Sequence, residues 1–238
     1  IDNGSVRRGK KTLNKVWGNH SSVLVGDYLL SRCFEMMVED GSLEVLKLLS
    51  TTSAEISQGE VLQLQYEGEV DMLEETYLKI ISAKTASLFA AATKVGSILA
   101  NKENKIKDAL EFYGKNLGLT FQIADDTLDY NSELKLFGKE IGNDFFEGKV
   151  TLPIILLYQK SKNSEKKELK DLFKKKDRSV EDLKNVLLMI KKYNIIFECY
   201  RKAEHFINLA SNSLSIFEPS KEKDMLQGLT SFSLERTF

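Results

Sequence analysis

Three aspartates interrupt the otherwise apolar run GLTFQIADDTLDY, residues 118–130. Ionised carboxylates are too costly to bury unless they are paired, hydrogen-bonded or bound to a cation. If the run is helical, Asp125 and Asp129 lie one turn apart on one face, and Gln122 points the same way. Asp126 stands about 100° round the axis, near enough for the three carboxylates to converge. Hard oxygen ligands of this kind suit Mg2+, which takes one or two carboxylates, several waters and phosphate oxygens. The looped calcium site of an EF-hand, with its central glycine, is absent. An ordinary surface helix fits poorly, because Phe121, Ile123, Leu128 and Tyr130 leave little solvent face.

A phosphate-bridged cation calls for basic residues facing it. The stretch 131–150 supplies Lys139 and Lys149 among Gly138, Gly142 and Gly148. Glycines let backbone approach phosphate, and lysine brings a mobile point charge. A Walker-type P-loop is excluded: Val150 stands where Ser or Thr must hold the metal, and a helix precedes the segment instead of a strand. Lys84 is a lone cation in IISAKTASLFAAA, with the Thr85 hydroxyl beside it. Arg7 and Arg8, followed by a turning Gly9, can serve two different anions. His20 and His205 have no metal-ligand spacing and read as structural polar groups.

The elements that must position these groups are helical. Only two prolines in 238 residues, with many Leu, Lys, Glu and Ala, favour long helices. Apolar periodicity predicts helix from Val23 to Leu49, broken at Gly41-Ser42, then helices over 52–70, 74–100 and 104–130. Residues 131–150 read as loop, and Thr151 with Pro153 opens the next helix. The lysine-rich stretch 160–179 reads as a solvated helix pair or hinge, and two or three helices follow; no strand is evident. A formal net charge of −1, from 34 basic and 35 acidic residues, gives no reason to expect a nucleic-acid partner. Cys33 and Cys199 fit neither a zinc site nor a disulfide framework, which points to a reducing cytoplasm. No apolar run is long enough for a transmembrane segment.

Taken together, the segments DNGSVRRGKKTLNKVWGNHSSVLVGDYLL, SQGE, KTASLF, GLTFQIADDTLDY and GKEIGNDFFEGKVTLP resemble the trans-isoprenyl diphosphate synthases. The likeness is greatest to the long-chain, octaprenyl-type members. It implies an all-α, single-domain helical bundle of the isoprenoid synthase type around a deep central cavity, with residues 1–238 as that domain lacking its N-terminal helices. It implies Mg2+-dependent head-to-tail condensation of isopentenyl diphosphate onto an allylic prenyl diphosphate, with a cluster of about three magnesium ions. By position, Asp125, Asp126 and Asp129 resemble metal ligands. Arg7, Lys84, Thr85, Gln122 and Lys139 resemble allylic-diphosphate contacts, Lys149 a further contact in the same loop, and Arg8 a contact to isopentenyl diphosphate. Lys84, Lys139 and Asp125 carry the expected catalytic burden. Phe34, Met37, Leu88, Phe89 and Phe121 are candidates for a dry tunnel holding the growing chain. The family likeness also implies a homodimer working in the cytoplasm, loosely at the membrane, and making a quinone side chain.

The family's first aspartate-rich motif is represented only by its last member, Asp2, since the sequence opens inside that motif at Ile1. The expectation is a truncated polypeptide whose turnover is weak or nil as it stands. Two other readings remain open: a non-catalytic partner subunit of a prenyl synthase, and a terpene cyclase-like enzyme. The Arg7-Arg8 pair speaks against the cyclase, which needs no second diphosphate site.

Overall fold

The computed structural model describes residues 6–7, 10–131 and 141–235. The chain divides into two compact units, residues 1–50 and 51–238.

In the first unit, Val6–Arg7 (β1) pairs antiparallel with Lys10–Lys11 (β2), a two-residue ladder that the sequence pattern did not announce. Helix α1 (Leu13–Asp40) starts earlier than the apolar periodicity suggests, and it is two helical segments that meet at a kink at Gly18, whose φ of 80° and ψ of 165° are not helical. It ends where expected. Gly41 adopts a left-handed φ of 78° and its N–H donates to the Val38 carbonyl, a conformation that costs glycine little. Ser42 then caps the following helix by accepting from the Val45 N–H at 3.3 Å. No side chain of α1 is buried.

Helix α2 (Leu43–Gln65) runs without interruption where the sequence suggested a fresh start near residue 52. Nothing in LLSTTSAE is Gly or Pro, so no residue stops it. In the second unit, α3 (Glu74–Ile81) passes through a π-helical turn, Ser82–Ala86, into α4 (Ser87–Leu99). The long α5 (Asn104–Leu128) follows. A short helix, α6 (Asn143–Glu147), sits inside the segment read as loop, bounded by Gly142 and Gly148, both at left-handed φ. Thr151 and Pro153 open α7 (Leu152–Lys160) as expected. The lysine-rich stretch is largely helix α8 (Asn163–Phe173), which buries only Leu169, Leu172 and Phe173. Ser179 caps α9 (Val180–Lys192), and α10 (Ile195–Ser213), a 3-10 turn and α11 (Lys221–Glu235) complete the unit.

Helix α5 is the axis of this unit, flanked mainly by α4 and α10. Its apolar side chains Leu119 and Ile123 join a core with Tyr77, Ile80 and Ile81 of α3 and Leu152, Ile154 and Ile155 of α7. The backbones of α4 and α5 approach closely because Gly114 and Gly118 carry no Cβ. One at Gly118 would lie 2.6 Å from the Ala86 Cα. Neither cysteine is in a disulfide: Cys33 is exposed and Cys199 buried. Burial pushes the Cys199 thiol up to about 12, far from the thiolate that reacts. Aromatic disulfide reagents should therefore titrate one thiol in the native protein and both in denaturant. Two fast native thiols would contradict the burial of Cys199.

Candidate active site

Side chains from three helices meet at the carboxyl-terminal half of α5. Thr85, on the π turn, donates its hydroxyl to the Gln122 Oε1 at 2.8 Å. The Gln122 Nε2 donates to the Asp126 Oδ1 at 2.8 Å. From the other side, the Tyr77 hydroxyl of α3 donates to the Asp126 Oδ2 at 2.6 Å. A continuous row, Thr85 to Gln122 to Asp126 to Tyr77, thus joins α3, the π turn and α5.

Asp126 is 5% exposed. Burial raises its carboxyl to about 7, against the lowering effect of the Tyr77 and Gln122 hydrogen bonds, with the Asp125 and Asp129 charges raising it further. Asp144, in the first turn of α6, is pushed up to about 8, first by burial and then by Asp126 and Asp129. Tyr77 is held well above the ordinary phenol range by its burial and by Asp126. These groups make a pocket of stored negative potential, the electrostatic condition in which a cation binds well.

The three aspartates of α5 diverge in role. Asp125 is exposed, and Asp126 is buried on its two donors. Asp129 accepts from the Asn143 N–H at 3.1 Å and the Asp144 N–H at 2.9 Å, tying the end of α5 to α6. No three acid, imidazole or thiol side chains among the described residues meet at one metal position. The convergence expected from helical spacing is not reached, because Asp126 turns towards α3. The oxygen donors still fit Mg2+, which completes its octahedron with waters and phosphate oxygens and needs only one or two carboxylates.

Lys84 lies next to this row. Its ammonium contacts the Glu60 Oε2 at 2.6 Å and the Gln63 Oε1 at 2.7 Å, both from α2. That approach depends on Gly59, where a Cβ would stand 2.6 Å from the Lys84 backbone nitrogen. Lys149 pairs with Glu147 at 2.6 Å. One turn beyond Thr85, the rings of Phe89 and Phe121 pack with centroids 5.4 Å apart, so an apolar wall follows the polar row.

Of the residues singled out from sequence, the structure joins Thr85, Gln122 and Asp126 directly by hydrogen bonds. Asp2, Arg8 and Lys139 lie outside the described residues, as does the side chain of Arg7, whose backbone is in β1. Sequence reasoning missed Tyr77, Glu60, Gln63 and Asp144. Tyr77 lies 49 residues from Asp126 in the chain, so no spacing announces it. Asp144 stood inside the quoted segment GKEIGNDFFEGKVTLP, and only the fold makes it a neighbour of Asp126.

The polyprenyl synthetase family model matches residues 1–190. An all-trans-nonaprenyl-diphosphate synthase (geranyl-diphosphate specific) of Rhodobacter capsulatus is 36% identical over 238 residues, covering 99% of this chain and 72% of that protein. The octaprenyl diphosphate synthase of Escherichia coli K12 is 45% identical over 155 residues, which is 65% of this chain and 48% of that protein. Among solved structures, a decaprenyl diphosphate synthase from Rhodobacter capsulatus superposes with a TM-score of 0.93 at 36% identity, covering 99% of this chain and 72% of that one. A polyprenyl synthase from Caulobacter crescentus CB15, complexed with calcium and isoprenyl diphosphate, gives 0.92 at 36% identity over 98% of this chain and 71% of that one. The all-α architecture is therefore the isoprenoid synthase fold.

Proposed function

The chain belongs to the polyprenyl synthetase family of prenyltransferases, and we propose that it joins isopentenyl diphosphate head-to-tail to an allylic prenyl diphosphate, giving a long all-trans product. The observation that carries this reading is the hydrogen-bonded row from Thr85 through Gln122 and Asp126 to Tyr77, flanked by Lys84. It sets hydroxyl, amide and ammonium donors beside carboxylates at the head of an apolar wall. That is the chemistry needed to hold a diphosphate and keep its hydrocarbon dry.

Bound Mg2+, about three ions by family likeness, would neutralise the diphosphate as it leaves. Asp125 and Asp129 would hold it together with Asp2, while Asp126, braced by Tyr77 and Gln122, adds negative potential behind them. Lys84 is held by Glu60 and Gln63, and would exchange that pairing for the anionic substrate. Thr85 and Gln122 orient the same headgroup. Lys139, Lys149 and Arg7 complete the allylic-diphosphate contacts, and Arg8 holds isopentenyl diphosphate alongside. Charge developing on the leaving group then meets donors already in position, so little reorganisation is needed. Phe89 and Phe121 shield the chain from water. The departing diphosphate can take the final proton, so no side-chain base is required.

A homodimer is part of the same reading. Its support is α1, on which Trp17, Leu24 and Tyr28 are 58%, 67% and 63% exposed, an apolar surface that a second copy would cover. We place the activity in the cytoplasm, with loose membrane contact where the product enters a quinone. No helix among the described residues is long and apolar enough to cross a membrane.

The test is incubation with farnesyl diphosphate and Mg2+, with and without labelled isopentenyl diphosphate, followed by chromatography of the dephosphorylated products. Longer prenyl alcohols that require both substrates and vanish with chelator are expected. Diphosphate release without isopentenyl diphosphate would mark a cyclase instead, and no product even from a polypeptide that carries the whole first aspartate-rich motif would overturn the catalytic reading.

A further inference from the structure

A concavity apart from the aspartate row lies in the unit formed by residues 51–238. It has a volume of about 410 Å³ and opens between α3 and α10. Its apolar lining is Leu78, Ile123, Leu152 and Phe206. Ile123 and Leu152 also belong to the main core and are fully buried there, so this floor is fixed by core packing. The rim is polar: Glu74, Glu198, Arg201, Lys202 and His205.

One cation of the rim is left over, because Lys160, outside the rim, takes one of its two acids. Glu74 already accepts from Lys202 at 2.6 Å, and Glu198 from Lys160 at 3.2 Å. Both acids are thus matched, whereas Arg201 has no ion-pair partner among the described residues. A guanidinium fork left over an apolar floor is suited to one planar or tetrahedral anion, gripped through two parallel hydrogen bonds. Volume and lining fall in the range of small-molecule sites, in which apolar walls carry a few convergent polar groups.

We propose that this pocket binds a small amphiphile with a single anionic headgroup, carboxylate or phosphate monoester, its head on Arg201 and His205 and its apolar tail on Leu78, Ile123, Leu152 and Phe206. The site is separate from the aspartate row, and two of its lining residues adjoin that row in the chain. Leu78 directly follows Tyr77 and Ile123 directly follows Gln122, the two residues whose side chains hold Asp126.

Calorimetric titration of the protein with decanoate and, separately, with decyl phosphate tests this in buffer containing EDTA, which silences metal-dependent binding at the aspartates. Saturable binding of at least one probe is expected. Arg201→Gln, at an exposed position, should weaken it by roughly tenfold or more, and Phe206→Ala should weaken it through the tail. Asp125→Asn should leave it unchanged. Binding of decanoate alone identifies a fatty-acid-like ligand, and binding of decyl phosphate alone a phosphate monoester. Failure of both probes to bind would overturn the proposal, as would unchanged affinity in Arg201→Gln. Loss of binding in Asp125→Asn would do the same, by assigning the probe to the aspartate site.

Discussion

Asp126→Asn should make the protein more stable above neutral pH and, in the same stroke, cost it about a hundredfold or more in turnover. The stability half follows from burial. With its carboxyl raised from 3.8 to about 7, the folded protein holds a proton that the unfolded chain has lost. Between those values the native state binds more protons than the unfolded state, so stability falls as pH rises from about 4 to about 7, then levels off. A tenfold difference in proton affinity between the two states is worth about 1.4 kcal/mol, so the loss amounts to a few kcal/mol. Asp144, raised to about 8, has the same sign and extends the decline upward.

Asparagine removes the first contribution and weakens the second, because the Asp126 charge is one cause of the raised Asp144 carboxyl. The hydrogen bonds survive. Tyr77 donates to the amide oxygen, and a flipped Gln122 accepts from the amide nitrogen while donating in turn to the Thr85 hydroxyl. Urea titrations in EDTA at about pH 5 and about pH 8.5 should show wild type losing stability over that interval and Asp126→Asn losing distinctly less. Mg2+ should restore stability to wild type more than to the variant, since a ligand stabilises the state that binds it. A wild-type stability that does not change with pH would mean that these carboxylates are hydrated, and the stored negative potential would be gone.

What the sequence reveals and what it conceals both follow from the range of the interactions. Gly41-Ser42 and Thr151-Pro153 mark helix ends through local geometry, so both boundaries stand where composition puts them. Helix α6 is only five residues long, and its limits are two glycines at positive φ. Too short for apolar periodicity, it reads as loop. The π turn at Ser82–Ala86 is hidden for another reason. Its sequence is ordinary helix, and the turn sits where α2 presses in at Gly59. In the site, the aspartates betray themselves by being charges in an apolar run. Their partners do not: Tyr77 lies 49 residues from Asp126 in the chain, and Glu60 and Gln63 look like ordinary polar residues of α2. Spacing within one helix therefore points to a cation site, while the hydrogen bonds that turn Asp126 away from Asp125 belong to the fold alone.

Two glycines of the α4–α5 pair should respond to alanine with opposite signs. At Gly96, in α4, nothing lies within 4 Å of a new Cβ. The substitution acts only through helix propensity and should stabilise by about 0.5–1 kcal/mol. At Gly114, in α5, a Cβ would fall 2.2 Å from the Thr93 Oγ1 and 2.4 Å from the Phe89 carbonyl oxygen. Thr93 cannot simply rotate away without loss, since its hydroxyl donates to the Leu110 carbonyl at 2.6 Å and so links the two helices. The Phe89 carbonyl is backbone and can move only with α4 itself. Alanine there must spread the pair, at a cost of about 2–3 kcal/mol net of the propensity gain. Because Phe89 rides on the displaced segment and meets Phe121 across the gap, the apolar wall beside Thr85 shifts as well. Thermal and urea midpoints of the two variants should move in opposite directions from wild type. If Gly114→Ala gained as much as Gly96→Ala, the close approach of α4 to α5 would be wrong, and with it the alignment that brings Thr85 to Gln122.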